Sequence, residues 1–187
     1  MSQPNKFPRE HHDDVIVFEL PIFSDDRGSF RLLYGETPND MNIKFVQDNF
    51  SVSKKNVIRG LHLQTNNPQG KLASCVRGLL TDVSVDLRKD SPTYGKVYQF
   101  DLTENRHVFT PPGFAHAVIA REDDSCLFYK CTSEYDPNCQ LVLNPFCEDL
   151  NIDWGVDRKD CIVSEKDLNG LSFSTPERCR DISALTE

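Results

Sequence analysis

No stretch of the 187-residue chain approaches the ~20 consecutive apolar residues that a membrane helix requires. The first fourteen residues, Met1 to Asp14, are polar, carry two prolines and contain no apolar core, so they read neither as a secretory signal nor as an anchor. A membrane role is not expected, and a cytoplasmic location is. Positive charge is also short. Lys and Arg number 21 against 29 Asp and Glu, a net charge of -8, which argues against nucleic acid as a partner because sequence-independent binding needs cations to displace counterions. A small phosphorylated ligand is not excluded, since it needs only a few well-placed arginines. The seven cysteines (Cys75, Cys126, Cys131, Cys139, Cys147, Cys161, Cys179) include no CxxC pair and are odd in number, so free thiols are the natural reading.

Helical periodicity is the next scarcity. Short alternating, β-rich runs dominate instead: Val15–Leu20, Ser29–Tyr34, Ile43–Val46, Lys71–Val76, Leu79–Leu87, Gly95–Leu102, Val108–Thr110, Ala115–Ala120, Ser125–Thr132 and Gln140–Leu143. Within Asp82–Leu87 the alternation is strict, with Val83, Val85 and Leu87 on one face and Asp82, Ser84 and Asp86 on the other. Gly and Pro punctuate the runs, as at Arg77-Gly78, Ser91-Pro92 and Pro111-Pro112-Gly113. The pattern predicts an all-β sandwich or barrel. Ser164-Glu165-Lys166-Asp167 predicts a short helix under a Ser cap. One domain is expected over residues 15–171, between a polar arm, 1–14, and a polar tail, 172–187.

Five histidines are present. His11 and His12 lie in the arm and are expected to be solvated, and His107 follows a turn and suggests no role. His62 is flanked by apolar residues in Val57–Gln64, and His116 follows a Pro/Gly turn in Pro111–His116. Either could be a partly buried histidine bonded within a sheet. The Pro-x-Gly-x-x-His turn resembles the second motif of cupin barrels, which often hold a metal. A metal set there would also need His-x-His and a carboxylate, whereas this chain reads His62-Leu63-Gln64. No metal is expected.

A sharper resemblance comes from motifs in series: Asp25–Phe30, Gln47–Ser53, Val57–Gln64, Gly70-Lys71-Leu72, Asp82–Arg88, Ser91–Gly95, Pro112–His116, Tyr135-Asp136-Pro137 and Ser164–Asp167. Their order over about residues 15–170 resembles the dTDP-4-dehydrorhamnose 3,5-epimerase family, the RmlC-like cupins. That resemblance implies a cupin-type double-stranded β-helix, or jelly-roll barrel, with short C-terminal helical segments. It also implies a homodimer, no cofactor, and inversion of carbon 3 and/or 5 of a nucleoside-diphosphate 4-keto-6-deoxy sugar in deoxysugar (rhamnose) biosynthesis. By the same analogy His62 is the base, Asp167 its orienting carboxylate, Lys71 the group at the enolate oxygen and Tyr135 the acid on the opposite face. Arg27, Phe30, Gln47, Asn49, Arg59 and His116 fall at substrate-binding positions.

Plainer readings stand beside these. Lys71 could be a solvated residue at a strand start, Asp167 a first-turn carboxylate favoured by the helix dipole, Tyr135 a packed turn residue and Phe30 ordinary core. Alternative functions are a mono-epimerase or ketoisomerase, a non-catalytic sugar-nucleotide-binding cupin, and a metal-dependent oxygenase. The chain also departs from the family pattern. Leu32 stands where many members have a glutamate that holds thymidine, Asn144-Pro145-Phe146-Cys147-Glu148 replaces a Trp-Asn-Asp-Pro run, and Glu134 replaces the first tyrosine of a pair. The first departure leaves the base preference open.

Overall fold

The computed structural model of the protein describes residues 9–34 and 43–174. Thirteen strands and one α-helix lie in these segments. The strands are β1 (Arg9–His12), β2 (Val15–Glu19), β3 (Ile22–Asp25), β4 (Gly28–Arg31), β5 (Gln47–Ser53), β6 (Ile58–Gln64) and β7 (Lys71–Arg77). They continue with β8 (Leu80–Asp86), β9 (Val97–Leu102), β10 (Arg106–Thr110), β11 (Phe114–Ala120), β12 (Ser125–Cys131) and β13 (Gln140–Val142), and α1 spans Glu165–Leu168.

Two antiparallel sheets face each other, ordered β1-β2-β10-β7-β12-β5 and β13-β6-β11-β8-β9, and β3 and β4 form a separate hairpin. From β5 onward successive strands change sheets, except that β8 and β9 are neighbours in one; β7 gives way to β8 through Gly78, whose φ of +80° favours a residue without a Cβ. This is the all-β jelly-roll expected. The polar arm contributes strand β1, paired in register with β2. Ile43–Val46, expected as a strand, is irregular, and extended pairing begins only at Gln47. Phe45 from that stretch packs edge-on against Phe109 instead. Of the expected tail, residues 175–187, with Cys179, lie outside the described residues. Phe173 packs against the core on the outer side of the second sheet.

Strand alternation divides the interior. Between the sheets, Val15, Val17, Ala73, Leu80, Leu102, Val108, Phe114 and Val118 form an apolar cluster. Their neighbours at two-residue spacing carry on the same inward faces but are polar: Lys71 on β7, Asp82 and Ser84 on β8, Thr110 on β10 and His116 on β11, all buried. The second sheet is covered on its outer face as well. Val83, Val85, Leu87, Ala117 and Ile119 meet Leu143, Leu150 and Trp154 from the C-terminal segment. That explains how all seven residues of β8 are buried although every second one is polar.

His107 sits on the outer face of the first sheet, 1% exposed, its Nδ1 within 2.7 Å of the Ser74 hydroxyl. Burial, reinforced by the charge of Arg31, pushes its pKa down to about 4.

Two stability measurements test this architecture. Trp154→Ala removes the largest side chain of the C-terminal cover and should lower the unfolding free energy by about 3–5 kcal/mol in a denaturant titration. His107 binds a proton near pH 6.5 when unfolded but only near pH 4 when folded, so proton uptake favours unfolding across that window. His107→Gln should therefore make the acid-side loss of stability shallower by up to roughly 1.4 kcal/mol per pH unit. An unchanged slope would mean that the folded ring already accepts a proton.

Candidate active site

The site begins with a close approach of backbones. Gly60 on β6 has a φ of +122°, and a Cβ there would lie 2.5 Å from the His116 carbonyl oxygen and 2.6 Å from the Ala117 Cβ. Only glycine lets β6 run this close to β11, and the pairing between the two strands shifts register at that point. His62 and His116 thereby become cross-strand partners.

Each histidine is backed by a carboxylate. His62 Nε2 lies 2.7 Å from Asp167 Oδ1, and the Gly60 N–H reaches Asp167 Oδ2 at 3.4 Å. Asp167 is placed by α1, whose N-cap Ser164 accepts a hydrogen bond from the Asp167 N–H, as the sequence predicted. Burial pushes the Asp167 carboxyl upward. The His62 hydrogen bond and charge, with those from Gly60 and Ser164, outweigh it and hold the carboxyl below its ordinary value. Asp167 therefore does more than complement the helix dipole. His116 Nε2 lies 2.5 Å from Asp82 Oδ2, and Asp82 is fully buried. Ser84 donates to Asp82 at 3.3 Å and lies 2.7 Å from the Thr110 hydroxyl, so the inward carboxylate is tied into the barrel. With Nε2 donating to a carboxylate, each imidazole has Nδ1 left for other chemistry.

Lys71 is not a solvated strand-start residue. It is 8% exposed, donates to the His62 carbonyl at 3.5 Å, and has its pKa lowered by burial against the opposing influence of Cys131 and Asp82. A cation held in such surroundings interacts more strongly with charge appearing beside it than one in water.

A cavity of about 540 Å³ is lined by Arg59, His62, Lys71, His116, Tyr129 and Asp167 among others. An adjoining cavity of about 240 Å³ shares His62, Lys71 and Tyr129 and adds Gln47, Asn49, Gln64, Tyr135 and Gln140. Eight of the ten residues singled out from the sequence thus border connected space. Arg59 is fixed at its rim by donating to the Ser53 hydroxyl at 2.9 Å and the Val52 carbonyl at 3.1 Å. Arg27 and Phe30 are elsewhere: they line a separate concavity on the β3–β4 hairpin, with Arg27 ion-paired to Asp25 at 2.6 Å. Phe30, 69% exposed, is not core.

Sequence reasoning missed Asp82, Tyr129, Lys166 and Gln140. The strict alternation around Asp82 marked a polar face, but nothing local indicated that this face points into the barrel. Among the described residues no group of three or more His, Cys, Asp or Glu is arranged to hold a metal ion, and no helix is long and apolar enough to cross a membrane.

A jelly-roll barrel with a carboxylate-backed histidine, a buried lysine and a tyrosine around one cavity defines a cupin-type fold equipped for proton transfer. The sequence profile of the dTDP-4-dehydrorhamnose 3,5-epimerase family matches residues 10–175. A dTDP-4-dehydrorhamnose 3,5-epimerase of Methanothermobacter thermautotrophicus is 40% identical over 170 residues, covering 88% of this chain and 92% of that protein. A dTDP-4-dehydro-6-deoxyglucose 3-epimerase of Streptomyces bikiniensis is 34% identical over 172 residues, covering 86% and 85%. Among solved structures, the 3,5-epimerase RmlC of Legionella pneumophila, in complex with dTDP-4-keto-L-rhamnose, superposes with a TM-score of 0.85 at 32% identity, covering 92% of this chain and 94% of that one. The chain belongs to the dTDP-4-dehydrorhamnose 3,5-epimerase family.

Proposed function

We propose that this protein epimerises a nucleoside-diphosphate 4-keto-6-deoxy sugar, turning dTDP-4-dehydro-6-deoxyglucose into dTDP-4-dehydrorhamnose. The observation that carries the reading is the His62–Asp167 pair, 2.7 Å apart, whose histidine borders a cavity together with buried Lys71 and half-exposed Tyr135.

A carbon beside a ketone loses its proton when a base sits on it and the developing enolate oxygen meets a fixed positive group. His62 Nδ1 is the base. Asp167 accepts a hydrogen bond from the Nε2–H, fixing the tautomer, and stabilises the imidazolium once it forms. The electron pair of the broken C–H bond moves onto the ketone oxygen, where the Lys71 ammonium stabilises it, and His116 borders the sugar. Tyr135 then gives its hydroxyl proton to the carbon from the opposite face, a role open to a phenol because its O–H is a donor. Arg59 binds the diphosphate as a planar, multidentate donor, and Gln47 and Asn49 border the nucleotide end.

A homodimer belongs to this reading. Arg27 and Phe30 lie apart from the cavity of their own chain on an exposed hairpin, and Phe23, Phe30, Phe50 and Val52 are large exposed apolar groups. A hairpin delivered to the cavity of a second copy accounts for both facts. A cytoplasmic location agrees with the six described cysteines being free thiols. The likeness to a 3-epimerase supports a second reading, inversion of carbon 3 alone.

Incubation with dTDP-4-dehydro-6-deoxyglucose in deuterated water should place deuterium at carbons 3 and 5. Label at carbon 3 alone establishes the second reading, and label at neither rejects both in favour of a non-catalytic binder. His62→Ala should slow exchange about a hundred- to ten-thousand-fold with little change in affinity, whereas undiminished exchange would remove His62 from the mechanism. If the hairpin serves a second copy, mixing inactive His62→Ala with inactive Arg27→Glu should restore about a quarter of wild-type activity, since half of randomly formed dimers then carry one intact site. No restoration would place each site within one chain.

A further inference from the structure

Gln64 occupies the position where a metal-binding cupin needs a second histidine, yet both hydrogens of its amide are committed and its oxygen is engaged. It is 4% exposed, and its Nε2 donates to the Asn67 carbonyl at 2.8 Å and the Glu134 carbonyl at 3.0 Å while its Oε1 accepts from the Asp136 N–H at 2.8 Å. Those last two partners flank Tyr135. The Tyr135 N–H itself donates to Gln47 Oε1 at 2.7 Å. The backbone on either side of the tyrosine is thus fastened to the inward faces of β5 and β6.

The phenol is fastened separately. Tyr135 is 47% exposed, and half-exposed aromatic rings on loops are not confined to one rotamer by packing. Its hydroxyl donates to Gln140 Oε1 at 3.1 Å, and the same oxygen accepts from the Lys166 ammonium. Gln140 lies on β13 directly opposite Gln64 on β6. Lys166 precedes Asp167 on α1. One helical turn therefore carries the carboxylate that orients His62 and the ammonium that holds the acceptor of Tyr135.

We infer that Gln64 and Gln140, with Lys166 behind Gln140, are positioning residues that fix the Tyr135 phenol relative to His62 and thereby set how often a deprotonated sugar is inverted. This rests on the proposal that His62 removes the proton and Tyr135 returns it. An enolate has two fates at a given carbon. His62 can return a proton to the face it came from, which leaves the configuration unchanged, or Tyr135 can deliver one to the other face. Base-side exchange does not need the phenol, but inversion does. A misplacement of about 1 Å can lower a rate about a hundred-fold, so loosening the phenol shifts the partition toward retention without stopping deprotonation.

The test follows dTDP-4-dehydro-6-deoxyglucose in deuterated water by NMR, reading deuterium in recovered substrate against inverted product, with the melting temperature recorded for each variant. Gln140→Leu should retain exchange within a few-fold but lower inversion per exchange event about ten-fold or more. Gln140→Glu, which keeps an oxygen for both donors, should restore most of the ratio. Lys166→Met, at an exposed side chain, should change it in the same direction as Gln140→Leu. Tyr135→Phe separates the two levels of argument. If it leaves inversion intact, the acid role of Tyr135 falls. If it abolishes inversion while Gln140→Leu keeps the wild-type ratio, or if Gln140→Glu rescues nothing, the positioning inference falls and the acid role stands.

Discussion

The hydrogen bond between Asp167 and His62 is the constraint on which the rest of the site depends. A carboxylate that is 4% exposed is tolerable only if its charge is matched by donors, and here the His62 ring, the Gly60 N–H and the α1 cap supply them. The bond joins α1 to a strand far earlier in sequence. Holding it at 2.7 Å requires that the whole C-terminal segment be seated. The apolar cluster of Leu143, Leu150 and Trp154 on the outer face of the second sheet does that seating.

The barrel accommodates chemistry because its stabilising apolar contacts and its polar groups are segregated. β8 shows the arrangement in one strand. Val83 and Val85 face outward under the C-terminal cover, Leu80 joins the apolar cluster between the sheets, and Asp82 and Ser84 point into the barrel. Asp82 finds His116, and Ser84 finds Asp82 and Thr110, so the buried polar groups satisfy one another. With the carboxylates committed to Nε2 of two histidines, Nδ1 of each imidazole is left for other chemistry.

Much of this was legible in the sequence, because period-2 alternation and Gly/Pro punctuation are local signals. They marked eight of the strands well, and Ser164 announced α1. The failures have physical causes. Ile43–Val46 is apolar enough for a strand, but Phe45 is used to pack against Phe109 from outside the sheet. β1 is too polar to declare itself, and forms because β2 offers it an edge. The motif order pointed to His62, Lys71, Tyr135 and Asp167, but partners created by the fold, Asp82 for His116 and Gln140 for Tyr135, could not be read from spacing. Arg27 and Phe30 reveal another limit. The motif that carries them could be read in the sequence, but not that its hairpin stands apart from the cavity beside His62.

The departures from the family pattern fall where the fold can absorb them. Glu134 replaces an aromatic, yet what the site uses there is the main-chain carbonyl that accepts from Gln64, and the side chain is exposed. In the altered Asn144–Glu148 run, Asn144 donates through Nδ2 to the Leu168 carbonyl at 2.6 Å and accepts from the Phe146 N–H at 2.8 Å, and Cys147 enters the outer core. These residues support the end of α1 from below. Substitution at such positions changes the footing of Asp167 and Lys166, not the side chains that border the cavity beside them. Leu32 is different in kind, because it follows the hairpin that carries Arg27 and Phe30 and supports no part of the His62–Asp167 pair. These departures therefore lie in the footing of α1, at a main-chain contact beside Tyr135 and next to the β3–β4 hairpin, while the His62–Asp167 pair and buried Lys71 are untouched by them.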